Sequence, residues 1–393
     1  MFSPLPRTSE GGCAAKGGGG EALDKIRPLH PLHHLERLQT RPGDPHFAPG
    51  LFPADRTHPT LPYRRWDDNV FYPALIDLTL TPLLDRMTPD ERKRTERLLA
   101  AIRANYPAYE SVRCPGLYNF YRTRPPAPYP NGRLLRRIRH FRLPADADDT
   151  VLVSNNLPDV DPATVAYVRE QLVRFSNLAG KKVRHPLPGY GDIPAHGVWF
   201  GSGAMPVEID LCVLCNILYF TARRGAAFNA TDRASFDFLA RALATGDLFD
   251  HPFALSHYYP DPTVILYHYG RLWSALDEPD RWFDRSALLA AVVRRWEQDE
   301  RPLPRLLLAT TTLKLGATPP PLTISPPALS ASFATFPFFV APMLAGTHRP
   351  WFRRLAARRV FQLYYRCEAY YWVLVWEYGL LRGEGEKVRI LEN

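Results

Sequence analysis

Apolar residues recur at helical spacing along most of the chain from Trp66 onward. Val70 to Leu84 is an apolar run that ends near Pro82. Thr88-Pro89-Asp90-Glu91 reads as a helix start, with a Thr cap, Pro in the first turn and acids beside the free N–H groups. Leu98, Leu99 and Ile102 then form one stripe. Asp161-Pro162 repeats that logic ahead of Val165, Val168, Leu172 and Phe175. Ile209 to Phe220 is apolar on every side, which predicts a buried helix. Asp232 reads as the cap of a helix carrying Phe236, Leu239 and Leu243. Asp261-Pro262 opens another over Val264 to Leu276, and Asp284 one over Leu288 to Trp296. Leu303–Leu313, Ser330–Leu344 and Arg354–Leu381 complete the set, with the proline-rich stretch Pro319–Pro327 as a linker or lid.

Alternating runs bounded by hairpin turns are missing, so strands are not expected. About ten or eleven helices joined by proline-rich turns predict an all-α protein. Antiparallel helix pairs closed into an α/α toroid, or a helical bundle, are the packings open to it. Residues 1–45 carry no periodicity. The Gly17–Gly20 run and His30, His33 and His34 fall there, and a disordered tail is expected ahead of a single domain over 46–393.

Composition adds bounds. With 393 residues, 46% of them hydrophobic, the chain can bury a sizeable core. Lys and Arg number 49 against 40 Asp and Glu, a formal charge of +9. Such a balance suits nucleic acid, anionic lipid or a phosphorylated ligand. No nucleic-acid-binding signature accompanies it, so nucleic acid is not an expected partner. The five cysteines are odd in number and scattered, which argues for a reducing cytoplasm and against a disulfide framework. The N-terminus lacks the apolar region of a signal peptide. Val360 to Leu381 is the longest near-apolar segment, and Arg366, Glu368 and Glu377 interrupt it. Its aromatic residues leave a peripheral membrane contact open. The oligomeric state is not legible in these patterns.

The densest chemistry is Asp146-Ala147-Asp148-Asp149-Thr150. Carboxylates this close cannot all ionise easily, so at least one should keep its proton. A carboxylic acid held protonated in an apolar cavity can act as a general acid. The bland alternative is a helix cap. The run resembles the DxDDT(A) motif of class II terpene cyclases, whose α/α toroid is shared with protein prenyltransferase β-subunits. The resemblance implies an all-α toroid and a protonation-initiated cyclisation of a small apolar isoprenoid. It implies Asp148 as proton donor, with Asp146 and Asp149 as its supports, and no cofactor or metal. The residue after Thr150 is Val where that family has Ala, and the family's Gln/Trp-rich repeats are missing.

A carbocation needs a dry cavity with aromatic faces. Four clusters could supply them: Tyr118–Tyr121, His196–Phe200, His257–Pro260 and Phe336–Phe339. The expected substrate-binding residues are Tyr118, Phe120, Trp199, Tyr258 and Tyr259. The turn Tyr129–Gly132 could bring the first cluster to the acidic run, and Arg133, Arg136, Arg137 and Arg139 after it could hold a diphosphate. A competing constellation is Asp210, Cys212 and His268, which resembles the zinc ligands of the prenyltransferase β-subunits and would imply a zinc-activated thiolate. A non-catalytic helical toroid that binds a partner or an apolar ligand is a further alternative. So is a carbohydrate-active toroid pairing Asp148 with Glu208 or Asp210. Nucleotide-binding glycine loops, the G-x-S-x-G elbow and the H-E-x-x-H zinc motif do not occur.

Overall fold

Start signals act where the sequence places them. Thr88 accepts the N–H of Glu91 while Glu91 reaches back to the N–H of Thr88, a complete capping box. Asp161, Asp261 and Asp284 each cap the helix that follows. Asp232 is displaced by three residues: Asn229 is the cap, and Asp232 completes a second capping box from inside the first turn.

The computed structural model describes residues 30–125, 143–201, 207–344 and 349–383. Its helices are α1 Pro31–Leu38, α2 Phe71–Leu80, α3 Pro89–Arg103, α4 Ala147–Asn156 and α5 Pro162–Arg174. Next come α6 Leu211–Arg223, α7 Ala230–Thr245, α8 Asp247–Asp250, α9 Pro252–Leu255 and α10 Pro262–Trp273. The last are α11 Arg285–Gln298, α12 Pro302–Lys314, α13 Pro326–Thr335, α14 Pro350–Ala356 and α15 Glu368–Arg382. The strands are β1 Ala54–Thr57, β2 Arg64–Trp66, β3 Ala145–Asp146, β4 Trp199–Phe200, β5 Phe339–Pro342 and β6 Gln362–Cys367.

Those strands overturn the expected fold class. The protein is mixed α/β and not an all-α toroid, because a four-stranded antiparallel sheet in the order β2-β1-β6-β5 and a two-stranded sheet β3-β4 stand beside the helices. The expected helix Ser330–Leu344 stops at Thr335 and continues as β5; the expected helix Arg354–Leu381 begins only at Glu368, after β6. β1 pairs Ala54 with Cys367, so its partner lies at the far end of the chain. No hairpin signature can announce such a pairing.

The tail also shrinks. α1 buries Leu32 and Leu35 and packs on α15, so residues 31–38 belong to the folded body. Residues 1–29 lie outside the described residues.

The core is built on helices buried along most of their length. All ten residues of α2 are buried, as expected of a helix without a polar face. α2 packs on α4, α4 on α6, α6 on α10, α10 on α12, α12 on α15, and α15 on α2. Helices α3, α5, α7, α11 and α13 pack against these. Each fully buried large apolar side chain stabilises the fold by about 1.5–3 kcal/mol. Gly270 lets α10 approach α12 closely, since a Cβ there would stand 2.9 Å from Cγ2 of Thr311 on α12. The expected membrane-facing segment is part of this core: Tyr370, Tyr371, Trp372 and Trp376 of α15 are buried. Among the described residues no helix is long and apolar enough to cross a membrane.

Candidate functional site

The acidic run forms the start of α4, and its three carboxylates are used differently. Asp146 is the cap, accepting the N–H of Asp149 at 2.7 Å. It is also the last residue of β3, and its own N–H donates to the Tyr118 carbonyl at 3.1 Å. The Tyr118 N–H donates in turn to the Thr150 hydroxyl at 2.9 Å. The aromatic cluster Tyr118–Tyr121 is thereby laced to the acidic run by backbone. The turn Tyr129–Gly132 and Arg133, Arg136, Arg137 and Arg139 lie outside the described residues.

Asp148 points elsewhere. Its Oδ1 accepts the Asn216 side-chain amide at 2.5 Å, and its Oδ2 accepts the Tyr259 hydroxyl. Asn216 is itself held by Nη2 of Arg271, which donates to the Asn216 amide oxygen. A buried guanidinium therefore reaches Asp148 through one amide. Burial pushes the Asp148 carboxyl up to about 6, while the bonds from Tyr259 and Asn216 pull against burial.

Among the described residues no N–H or O–H group donates to either oxygen of Asp149, and both oxygens are buried. Burial, and next the Asp146 charge beside it, hold its carboxyl well above the ordinary carboxylate range. A proton on Asp149, donated to Asp146, satisfies both groups. Burial likewise raises Asp146, to about 7, against the bond it accepts from Asp149. Of the two, Asp146 is the better placed to carry charge, because it accepts a backbone N–H.

All three aspartates line one cavity of about 500 Å3, within the range of small-molecule sites. Phe71, Phe120, Trp199, Tyr258, Phe339 and Tyr365 supply aromatic walls. Phe339 stands at the centre, with ring centroids 4.8 Å from Phe71, 5.7 Å from Phe120 and 5.2 Å from Tyr365. The antiparallel sheet forms one side, since Phe339 and Ala341 of β5 and Leu363 and Tyr365 of β6 face in. Leu61 and Met343, 58% and 52% exposed, stand at the mouth.

A second polar group lines the cavity. One oxygen of Glu208 accepts Trp199 Nε1 at 2.8 Å and the Tyr258 hydroxyl at 3.1 Å, and it lies 3.4 Å from Nε2 of His257. Burial opposes its charge, but these donors outweigh burial and hold Glu208 below its ordinary range. Burial opposes the charge of His257 too, and the Glu208 carboxylate outweighs it and raises His257.

The expected substrate residues divide accordingly. Phe120, Trp199 and Tyr258 line the cavity with the acids. Tyr259 serves through its hydroxyl on Asp148. Tyr118 does not line this cavity; its side chain faces an outer cleft with Tyr167 and Leu157, and only its backbone serves the site. Phe71, Tyr365, Asn216 and Arg271 are new. Asn216 and Arg271 left a trace in sequence, each being a polar residue inside a largely apolar helix.

The zinc constellation is used for structure. Asp210 caps α6: Oδ1 accepts Cys212 N–H at 2.9 Å and the Ser256 hydroxyl at 2.6 Å, and Oδ2 accepts Tyr258 N–H at 3.1 Å. Burial pushes the Cys212 thiol well up, away from thiolate. His268 turns Nδ1 to the Val264 carbonyl of its own helix at 2.8 Å. Among the described residues no three His, Cys, Asp or Glu side chains are arranged to hold a metal. No protein-family model matches the chain, and a search of characterised proteins returns no relative.

Proposed function

We infer that the protein catalyses the protonation-initiated cyclisation of a small apolar isoprenoid. The observation that carries this reading is that Asp146, Asp148 and Asp149 open into the same aromatic-walled cavity. A mere capping run would turn its carboxylates to local backbone, as Asp146 alone does.

Asp148 is the proton donor. It faces the cavity, and a carboxyl raised to about 6 lies near neutral pH, where a general acid works best. In the first step its O–H bond breaks and the proton bonds to the less substituted carbon of a terminal alkene. The alkene π pair forms that C–H bond and leaves a tertiary carbocation. Internal alkenes attack the cation in turn, each using its π pair to form a C–C bond. Phe339, Phe120 and Tyr365 present ring faces to the passing charge, each worth about 2 kcal/mol where water is excluded. The cascade ends when a C–H bond adjacent to the cation gives its electron pair to a new alkene and its proton to Glu208. One proton enters and one leaves, so the reaction is an isomerisation without co-reactant; afterwards Glu208 loses its proton to water and Asp148 takes one from water.

Burial keeps Asp148 from ionising fully, with the neighbouring Asp210 charge adding to it. The apolar substrate enters past Leu61 and Met343. A peripheral membrane contact would form at this rim, since the aromatic C-terminal segment is core.

The test is incubation of the purified protein with polyprenyl hydrocarbons, alcohols and diphosphates, followed by chromatography and mass spectrometry. Wild type should yield cyclised isomers and Asp148→Asn none. Absence of cyclised product from wild type across the panel would sink the reading.

A further inference from the structure

The sheet that walls the acidic cavity has a second face, and that face lines a separate groove. Along β5, Phe339 and Ala341 face the cavity while Val340 faces the groove; along β6, Leu363 and Tyr365 face the cavity while Gln362 and Tyr364 face the groove. The groove holds about 550 Å3 and shares no wall residue with the cavity.

Its charge is unbalanced. Arg301, Arg353, Arg354 and Arg359 line it, together with His251 and two acids, Asp250 and Asp261. Both acids are already engaged: Asp261 by Arg295 and Arg301, each at 3.3 Å, and Asp250 by Arg294 at 3.9 Å. Arg301 is taken up by Asp299 and Asp261. Arg353, Arg354 and Arg359 make no ion pair among the described residues. Burial and the neighbouring Arg354 charge both push the Arg353 guanidinium down, the mark of a cation without a counter-charge. Arginines are costly to gather this way, and a planar fork matches phosphate oxygens two at a time.

We propose that this groove is a binding site for a phosphate or diphosphate group, held by Arg353, Arg354 and Arg359. Three free guanidiniums match an anion of two or more charges better than a single carboxylate. The aromatic edge of Tyr364 and the Phe338 ring give the groove an apolar flank for whatever carries the phosphate. The site is distinct from the reacting centre, since the β5-β6 sheet stands between them. It holds whether or not the cavity cyclises isoprenoids.

The phosphate could be free in solution or part of a lipid headgroup, and one experiment separates these. Isothermal titration with inorganic diphosphate reads the soluble source. Co-sedimentation with phosphatidylcholine vesicles, with and without phosphatidic acid, reads the lipid source. Both are run on wild type, on Arg353→Gln/Arg354→Gln/Arg359→Gln, and on the exposed single variant Arg359→Gln, with the thermal midpoint as a check on folding. Saturable diphosphate binding that weakens about tenfold or more in the triple variant supports the site with a soluble ligand. Binding only to phosphatidic acid vesicles, lost in the same variant, supports it with a headgroup ligand. Binding to neither probe, or binding that Arg359→Gln and a folded triple variant leave unchanged, overturns the proposal. Neither result depends on turnover, so it stands apart from the fate of Asp148→Asn.

Discussion

At the first turn of α4, position decides what each carboxylate does. Asp146 at the cap meets a backbone N–H, Asp148 turns across to Asn216 of α6 and to Tyr259, and Asp149 meets no N–H or O–H donor among the described residues. If Asp148 delivers the proton, the protonated form is the active one. Activity should then fall as pH rises through about 6, and fall also in acid where Glu208, held below its ordinary range, takes up a proton, read from kcat/KM against pH. A rate that climbs through that range would refute the assignment. Asp149 makes a stability prediction of opposite appearance. Its folded pKa is raised, so its contribution is complete below the unfolded carboxylate value and is lost as pH rises toward the folded one. Asp149→Asn should therefore raise the thermal midpoint at pH 8, with the gain vanishing near pH 4, while turnover falls. An equal or lower midpoint at pH 8 would count against a buried, proton-holding Asp149. The closeness of the three carboxylates is readable in five residues of sequence. Their separate directions are not, because they depend on Asn216 and Tyr259, brought in from distant helices and loops.

Helices proved more legible than strands, for a reason in the chemistry of their ends. Thr88, Asp161, Asp261 and Asp284 mark starts with local hydrogen bonds that a short stretch of sequence contains. β1 and β6 pair across nearly the whole chain, and β2 carries Arg64, Arg65 and Trp66, all exposed. Their stability comes from partners that no local window includes. This matters to function, since Phe339 and Tyr365 reach the cavity only because β5 and β6 alternate their side chains across the sheet. Phe339→Leu keeps the volume filled but removes the central ring face. Steady-state kinetics should show kcat reduced by about tenfold or more, with less-cyclised products, and an unchanged kcat and product profile would remove the ring from the mechanism. Helix packing carries its own prediction. Gly270→Val would force α10 off Thr311 of α12 and should cost about 1–3 kcal/mol in denaturant unfolding, whereas a neutral result would mean the helices part without strain.

For the whole molecule, the sheet divides two environments. One side is an aromatic cavity with clustered acids and the Glu208–His257 pair; the other is a groove with uncompensated arginines. Composition foreshadows both, in the frequent aromatics and the excess of arginine, but only the fold sorts them to opposite faces. The central claim is that a carboxyl proton starts the reaction. Turnover of an accepted polyprenyl substrate in D2O, with mass analysis of the product, tests it most directly. Protonation by Asp148 should leave one deuterium per product molecule, on the carbon of the original terminal alkene, and Asp148→Asn should give no product. A cyclised product without deuterium at that carbon, or one formed equally by Asp148→Asn, would contradict it.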